Sequence, residues 1–154
     1  MHAAFVLEKA MRAAEKHALE HSSRQLESMG LLIGQVFENN GEKYVIAEEY
    51  VTAPNNATAA SVRFSQDAFS ELAQKISSGG KGKIVVGWLH SHPGYGCWLS
   101  GTDVNTQRKY FSEDFHIALV VDPHKEQGGR MLKKAFKIGS NGYYEVPLAV
   151  IRKK

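Results

Sequence analysis

Two histidines one residue apart, His90 and His92, are followed beyond a glycine-bearing turn by Ser100 and Asp103. Two imidazoles and one carboxylate are ligands enough for a tetrahedral Zn²⁺ that leaves its fourth position to water. A structural zinc site would close that position, usually with a thiolate. The chain has 1 cysteine, Cys97. The donor set of this stretch is that of an open, catalytic site.

The flanking sequence indicates how those side chains are brought together. Lys83 to Leu89 is a continuous apolar run, which predicts a buried strand central in a sheet. Alternate strand residues share a face, so His90 and His92 at its C-terminal end can point at one metal. Gly94 and Gly96 allow the chain to fold back sharply. Ser100 is a good N-cap for a helix from Gly101 to Phe111, which puts Asp103 in the first turn, facing back to the histidines.

The rest of the chain supplies a scaffold. Phe5 to His21 has the apolar spacing of an amphipathic first helix. Glu27 to Phe37 reads as a largely buried strand, with turn chemistry at Asn40-Gly41 and a returning strand from Lys43 to Thr52. Ala53 to Ser61 reads as a loop, and Ser65 to Ser77 as a second helix capped by Ser65. Further strands are expected from Phe115 to Val121, ended by Asp122-Pro123, from Met131 to Ile138, and at Tyr143 to Val146. Pro147 to Ile151 reads as short and extended or mixed. The pattern is α/β, a mixed sheet with helices on its faces, in a single domain over 1–154.

Composition narrows the function classes. A formal net charge of +3 with well-mixed charges leaves no nucleic-acid footprint, and Arg152-Lys153-Lys154 reads as a solvated tail. No apolar run is long enough to span a bilayer, and Met1 to Phe5 lacks the character of a signal peptide. The lone cysteine fits a reducing compartment. A soluble cytoplasmic protein that binds neither nucleic acid nor membrane is expected.

The stretch from Gly87 to Asp103 closely resembles the catalytic motif of the JAMM (MPN-plus) metalloproteases. That motif is an upstream Glu, then His-Ser/Thr-His-Pro, a Ser and an Asp, met here by His90-Ser91-His92-Pro93, Ser100 and Asp103. The flanks Gly-Tyr-Gly-Cys-Trp-Leu-Ser-Gly and Asp103-Val104-Asn105-Thr106-Gln107 look most like the proteasome-lid deubiquitinase and signalosome deneddylase subunits. Glu27, just before Met29-Gly30, fits the upstream glutamate. The resemblance runs from about Val6 to Ile138. It implies the MPN/JAB1 (cytidine-deaminase-like) layered fold, an α/β (α+β) architecture with a mixed curved sheet flanked by helices.

It also implies one Zn²⁺ held by His90, His92 and Asp103. Glu27 would be general base and then acid, with the Ser100 hydroxyl on the developing oxyanion. The implied reaction is hydrolysis of the bond after the C-terminal Gly-Gly of ubiquitin or a ubiquitin-like modifier and its conjugates. A link to a proteasome or an associated ATPase is a further implied partner. Ala53 to Arg63 takes the place of the family's first insertion. Asn56 and Thr58 there, with Trp98, are candidate substrate contacts. The short stretch after Ile138 gives the expectation of a compact, stand-alone form like the prokaryotic members.

Two close alternatives remain at this stage. One is a peptidase that matures ubiquitin-like or sulfur-carrier precursors, and the other a catalytically silent scaffold. A zinc deaminase is disfavoured because its His-x-Glu and Cys-x-x-Cys ligands are missing. His116 and His124 read as structural, and Cys97 as a small buried turn residue rather than a nucleophile.

Overall fold

The computed structural model describes residues 4–52, 56–57, 62–63 and 82–152, with the backbone alone at 56–57 and 62–63. The helix expected from Ser65 to Ser77 and the candidate Thr58 lie outside the described residues.

The described elements run in the order β1 (Ala4–Leu7), α1 (Glu8–Ser22), β2 (Met29–Asn39), β3 (Glu42–Thr52), β4 (Asn56–Ala57) and β5 (Val62–Arg63). They continue with β6 (Ile84–Ser91), α2 (Gly101–Tyr110), β7 (Ile117–Gln127), β8 (Arg130–Gly139), β9 (Gly142–Val146) and β10 (Leu148–Ile151). Eight strands form one sheet in the order β10-β1-β3-β2-β6-β7-β8-β9. The edge strands β9 and β10 are joined by Pro147, whose carbonyl accepts the Ala4 N–H at 3.1 Å. The mixed α+β sheet therefore curves almost into a barrel, as the MPN/JAB fold does.

The expected boundaries at β1 and β7 need correction. Phe5 to Leu7 is strand, not the start of the first helix. Residues Ala4 and Val6 are fully buried, and β1 pairs in parallel with β3 on one side and β10 on the other. Two hydrogen-bonded ladders outweigh a helical spacing that β1 shares only by chance with the helix after it. Likewise β7 does not end at Asp122-Pro123 but continues to Gln127. The register jumps there, from Asp122 opposite Leu132 to Glu126 opposite Met131. Pro123 thus sits where the ladder is interrupted, and its missing N–H costs no pairing.

The β2–β3 hairpin turns at Asn40-Gly41 with positive φ at both residues (53° and 80°), as an Asn-Gly turn requires. The core has two parts. On one face of the sheet, Ala10, Met11, Ala14 and Ala18 of α1 pack on Val45, Ala47, Leu119 and Val121. On the other, Met29, Leu31, Trp88, Ala118 and Val120 pack with Leu99 and Phe111, which flank α2. Burying each of the larger side chains contributes about 1.5–3 kcal/mol. The second face carries the site.

Candidate metal centre

β6 is paired antiparallel with β2 and parallel with β7, so its C-terminal end is held from both sides. Between Leu32 and Ile33 of β2 the β6 register slips, leaving Val86 as the extra residue. Beyond that bulge Trp88 and His90 share the α2 face, with their rings stacked at 4.4 Å. His92 follows the strand, anchored by its N–H to the Val121 carbonyl at 2.9 Å.

The chain then reverses through Gly94 and Gly96, whose φ values of 91° and 84° favour glycine. Ser100 caps α2 as expected. Its hydroxyl accepts the Asp103 N–H at 3.1 Å while the Asp103 carboxylate accepts the Ser100 N–H at 2.9 Å. This capping box holds the Asp103 carboxylate so that the same oxygen, Oδ2, also faces the histidines.

Three donor atoms converge. Asp103 Oδ2 lies 3.1 Å from His90 Nε2 and 3.3 Å from His92 Nε2, and the two Nε2 atoms lie 3.2 Å apart. Ligand atoms on a tetrahedron with bonds of about 2.0–2.1 Å are about 3.3 Å apart. His90, His92 and Asp103 are all buried. The donor set and its spacing fit a zinc-sized ion, and these residues could hold one.

Burial works to raise the Asp103 carboxyl. The hydrogen bonds with His90 and His92 outweigh it and hold the group well below the usual carboxylate range. Burial lowers His90, with Asp103 opposing, which favours the neutral imidazole that a metal needs.

Glu27 comes to the same corner from the end of the loop before β2. The sequence pattern predicts it on the strand, but β2 begins at Met29. Ser28 and Ser91 explain how it is held. The Ser28 N–H donates to Ser91 Oγ at 2.8 Å, and the Ser91 N–H donates to the Ser28 carbonyl at 3.0 Å. The middle residue of His90-Ser91-His92 therefore ties Glu27's segment to the histidine strand. Glu27 is buried, and its carboxylate accepts the Tyr95 hydroxyl. Burial pushes its pKa up to about 7, against the lowering effect of Tyr95 and His92. A carboxyl so placed exchanges protons near neutrality.

Trp98 is exposed at the rim. Its ring edge meets His92 at 5.3 Å and its indole N–H donates to the Tyr95 carbonyl at 2.8 Å. Asn56 is described by its backbone alone, in β4. There Asn56 pairs with Arg63 and Ala57 with Val62, so part of the expected loop is a short antiparallel ladder. Cys97 is half-buried rather than buried, and burial pushes its thiol up to about 12, which leaves it a poor nucleophile.

His116 is structural. Its Nδ1 accepts the Glu113 N–H at 3.0 Å and its Nε2 faces the Val85 carbonyl at 3.1 Å. Sequence reasoning takes Tyr95 only as a core or rim residue and does not single out Gln107 or Asp122. Gln107, a buried amide on an otherwise polar helix, accepts the Trp88 indole N–H and donates to the His116 carbonyl at 3.2 Å. None of the three has a spacing signal, since each reaches its partner through the fold.

A family model described as JAB1/Mov34/MPN/PAD-1 ubiquitin protease matches residues 4–114. The chain belongs to that family. It is 34% identical over 119 residues to the ubiquitin carboxyl-terminal hydrolase RPN11 of Saccharomyces cerevisiae, covering 76% of this chain and 38% of that protein. It is 38% identical over 128 residues to COP9 signalosome complex subunit 5 of Drosophila melanogaster, covering 79% of this chain and 38% of the relative. The chain thus spans well under half the length of these curated relatives. Among solved structures, the protein DSY2949 from Desulfitobacterium hafniense superposes with a TM-score of 0.69 at 21% identity, over 97% of this chain and 94% of that one. That likeness speaks for the fold. The chain thus pairs a JAB/MPN-family fold with a converging His-His-Asp set that could hold a metal. No helix among the described residues is long and apolar enough to cross a membrane.

Proposed function

We propose that this single-domain chain is a zinc-dependent isopeptidase of the JAMM type. In this reading it hydrolyses the bond after the C-terminal Gly-Gly of ubiquitin or a ubiquitin-like modifier and releases it from conjugates. The observation that carries the reading is the convergence of His90, His92 and Asp103 at tetrahedral spacing in the same corner as the buried carboxyl of Glu27.

Bound Zn²⁺ would supply Lewis acidity and lower the pKa of water from 15.7 towards about 7. Glu27 takes a proton from the attacking water and returns it to the leaving amine, a role suited to a pKa near 7. The Ser100 hydroxyl has accepted the Asp103 N–H, so its own hydrogen remains to donate to the oxyanion. Trp98 supplies an apolar rim to the groove. The β4–β5 segment, with Asn56 and Thr58, is the proposed surface for an extended tail that adds as a strand. A Gly-Gly tail suits such a groove because side chains would keep its backbone from the walls. The relatives' names, a ubiquitin carboxyl-terminal hydrolase, a 26S proteasome regulatory subunit and a signalosome subunit, support a ubiquitin-like substrate and an association with a proteasome or its ATPase.

The test is cleavage of a ubiquitin-like protein fused through Gly-Gly to a reporter, with and without chelator. Hydrolysis that chelator abolishes and zinc restores is expected. Stoichiometric zinc without cleavage of any Gly-Gly-linked substrate would mark a silent scaffold. Cleavage of precursors but not of isopeptide conjugates would mark a maturation peptidase.

A further inference from the structure

The two histidines of the centre are held differently. His90 is fixed by packing. Its ring stacks on Trp88, and its Nδ1 is the buried side-chain polar atom that has no hydrogen-bond partner among the described residues. His92 is fixed by a hydrogen bond, its Nδ1 lying 3.1 Å from the carbonyl oxygen of Gly96. A carbonyl only accepts, so Nδ1 carries the proton and Nε2 presents its lone pair to the other donors. The orientation of His92 therefore depends on where the 94–96 turn is held.

That turn bulges from the surface at Gly94, and its two glycines lack side chains that could pin it. It is pinned from β7. Asp122 is fully buried, and its Oδ1 accepts the Gly94 N–H at 2.9 Å and the His124 N–H at 2.8 Å. Its Oδ2 accepts the Gly96 N–H at 2.7 Å. The residue before it, Val121, receives the His92 N–H. One end of β7 thus holds both the backbone of His92 and the turn whose carbonyl orients its ring. Asp122 sits where the β7–β8 register jumps, so its carboxylate is turned to the 94–96 loop instead of lying along the ladder.

We propose that Asp122 is a positioning residue of the metal centre: by clamping Gly94 and Gly96 it places the Gly96 carbonyl on Nδ1 of His92 and so presents Nε2 to the metal. This rests on the metal-centre reading above and adds an outer partner to it. Partners of this kind orient metal-binding imidazoles, and their loss typically costs about 10–100-fold in metal affinity.

Asp122→Asn tests it selectively. The amide keeps one oxygen for Gly94 and His124 but turns an N–H₂ towards the Gly96 N–H, so it is the Gly96 arm that is lost. Zinc titrated into the metal-free protein should bind the parent and bind Asp122→Asn about 10–100-fold more weakly. The d–d spectrum of the cobalt-substituted variant should shift, while far-UV circular dichroism stays native. In a His92→Ala background the same substitution should leave zinc affinity unchanged, because its route runs through His92.

A natively folded Asp122→Asn that binds zinc as the parent does would overturn the proposal, as would an equal further loss in the His92→Ala background. Should the variant not fold, nitrogen NMR of the metal-free parent decides. Nδ1-protonated His92 with slowly exchanging Gly94 and Gly96 amides supports the clamp. Nε2-protonated His92, or free exchange at those amides, contradicts it. Failure of the parent itself to bind zinc would instead sink the metal-centre reading.

Discussion

The described residues include two close histidine pairs, and only one of them is built to take a metal. His17 and His21 lie a helical turn apart on α1, with ring centroids 4.3 Å apart, closer than the 4.8 Å of His90 and His92. Yet His17 Nδ1 is matched with the Tyr50 hydroxyl at 2.8 Å and His21 Nδ1 with the His17 carbonyl at 3.2 Å. No third metal donor joins them among the described residues. In the β6 pair both Nε2 atoms face each other and a buried carboxylate. Proximity of imidazoles is therefore a weak sign. The informative feature is several donor atoms aimed at one point, with the backbone behind them fixed.

Asp103→Ala should break the contrast most completely. It removes a ligand and half of the capping box, so zinc affinity should fall by more than the about 10–100-fold typical of outer partners. His21→Ala, measured in the same zinc titration, should leave affinity within about twofold. Equal losses in the two variants would erase the distinction between the pairs.

Ser100→Ala should come next. Loss of an oxyanion donor costs about 10²–10³ in kcat, and loss of a helix cap about 1 kcal/mol of stability. Threonine at 100 should restore the stability measured by urea unfolding, and with it part of the turnover. A loss of stability with turnover unchanged would leave Ser100 a cap and nothing more.

The smallest effects separate the α1 pair from the metal corner by pH, in metal-free protein. Burial holds His17 down to about 4, with His21 adding to the effect. Between about 6.5 and 4 the unfolded chain binds more protons there, so this contribution to stability is full above about 6.5 and is lost as pH falls. Glu27 runs the other way. Its folded pKa of about 7 exceeds the ordinary 4.5, so the folded state binds the extra proton and stability drops as pH rises between them. Glu27→Gln should remove that decline, a gain of about 1–3 kcal/mol at pH 8. His17→Gln should flatten the acid-side loss at a cost of about 1 kcal/mol near neutrality. Urea unfolding across pH 4 to pH 8 (about these limits) reads both slopes. Parallel slopes in the two variants would refute the assignment.

Much of the metal corner was legible in the sequence because its parts are local. His90, His92, Ser100 and Asp103 lie within one strand–turn–helix unit, and the alternation of a strand and the cap of a helix suffice to aim them. Glu27 could be placed only by its Met29-Gly30 context, because what carries it to the site is the Ser28–Ser91 clamp between distant segments. Asp122 escaped notice for the same reason, since an Asp-Pro pair reads as a strand end. The opening of the chain was misread because β1 owes its conformation to β3 and β10, which lie far along the sequence. The β9 and β10 edges likewise acquire meaning only when the sheet curves round to bring them together.

The most direct test of the central claim compares the parent with Glu27→Gln for bound zinc and for hydrolysis of one Gly-Gly-linked ubiquitin fusion, in the same preparations. Equal zinc, near one ion per chain, is expected in both, with turnover lowered about 10²–10⁴-fold in the variant. Turnover by Glu27→Gln at the parent's rate, with zinc bound, would contradict the account.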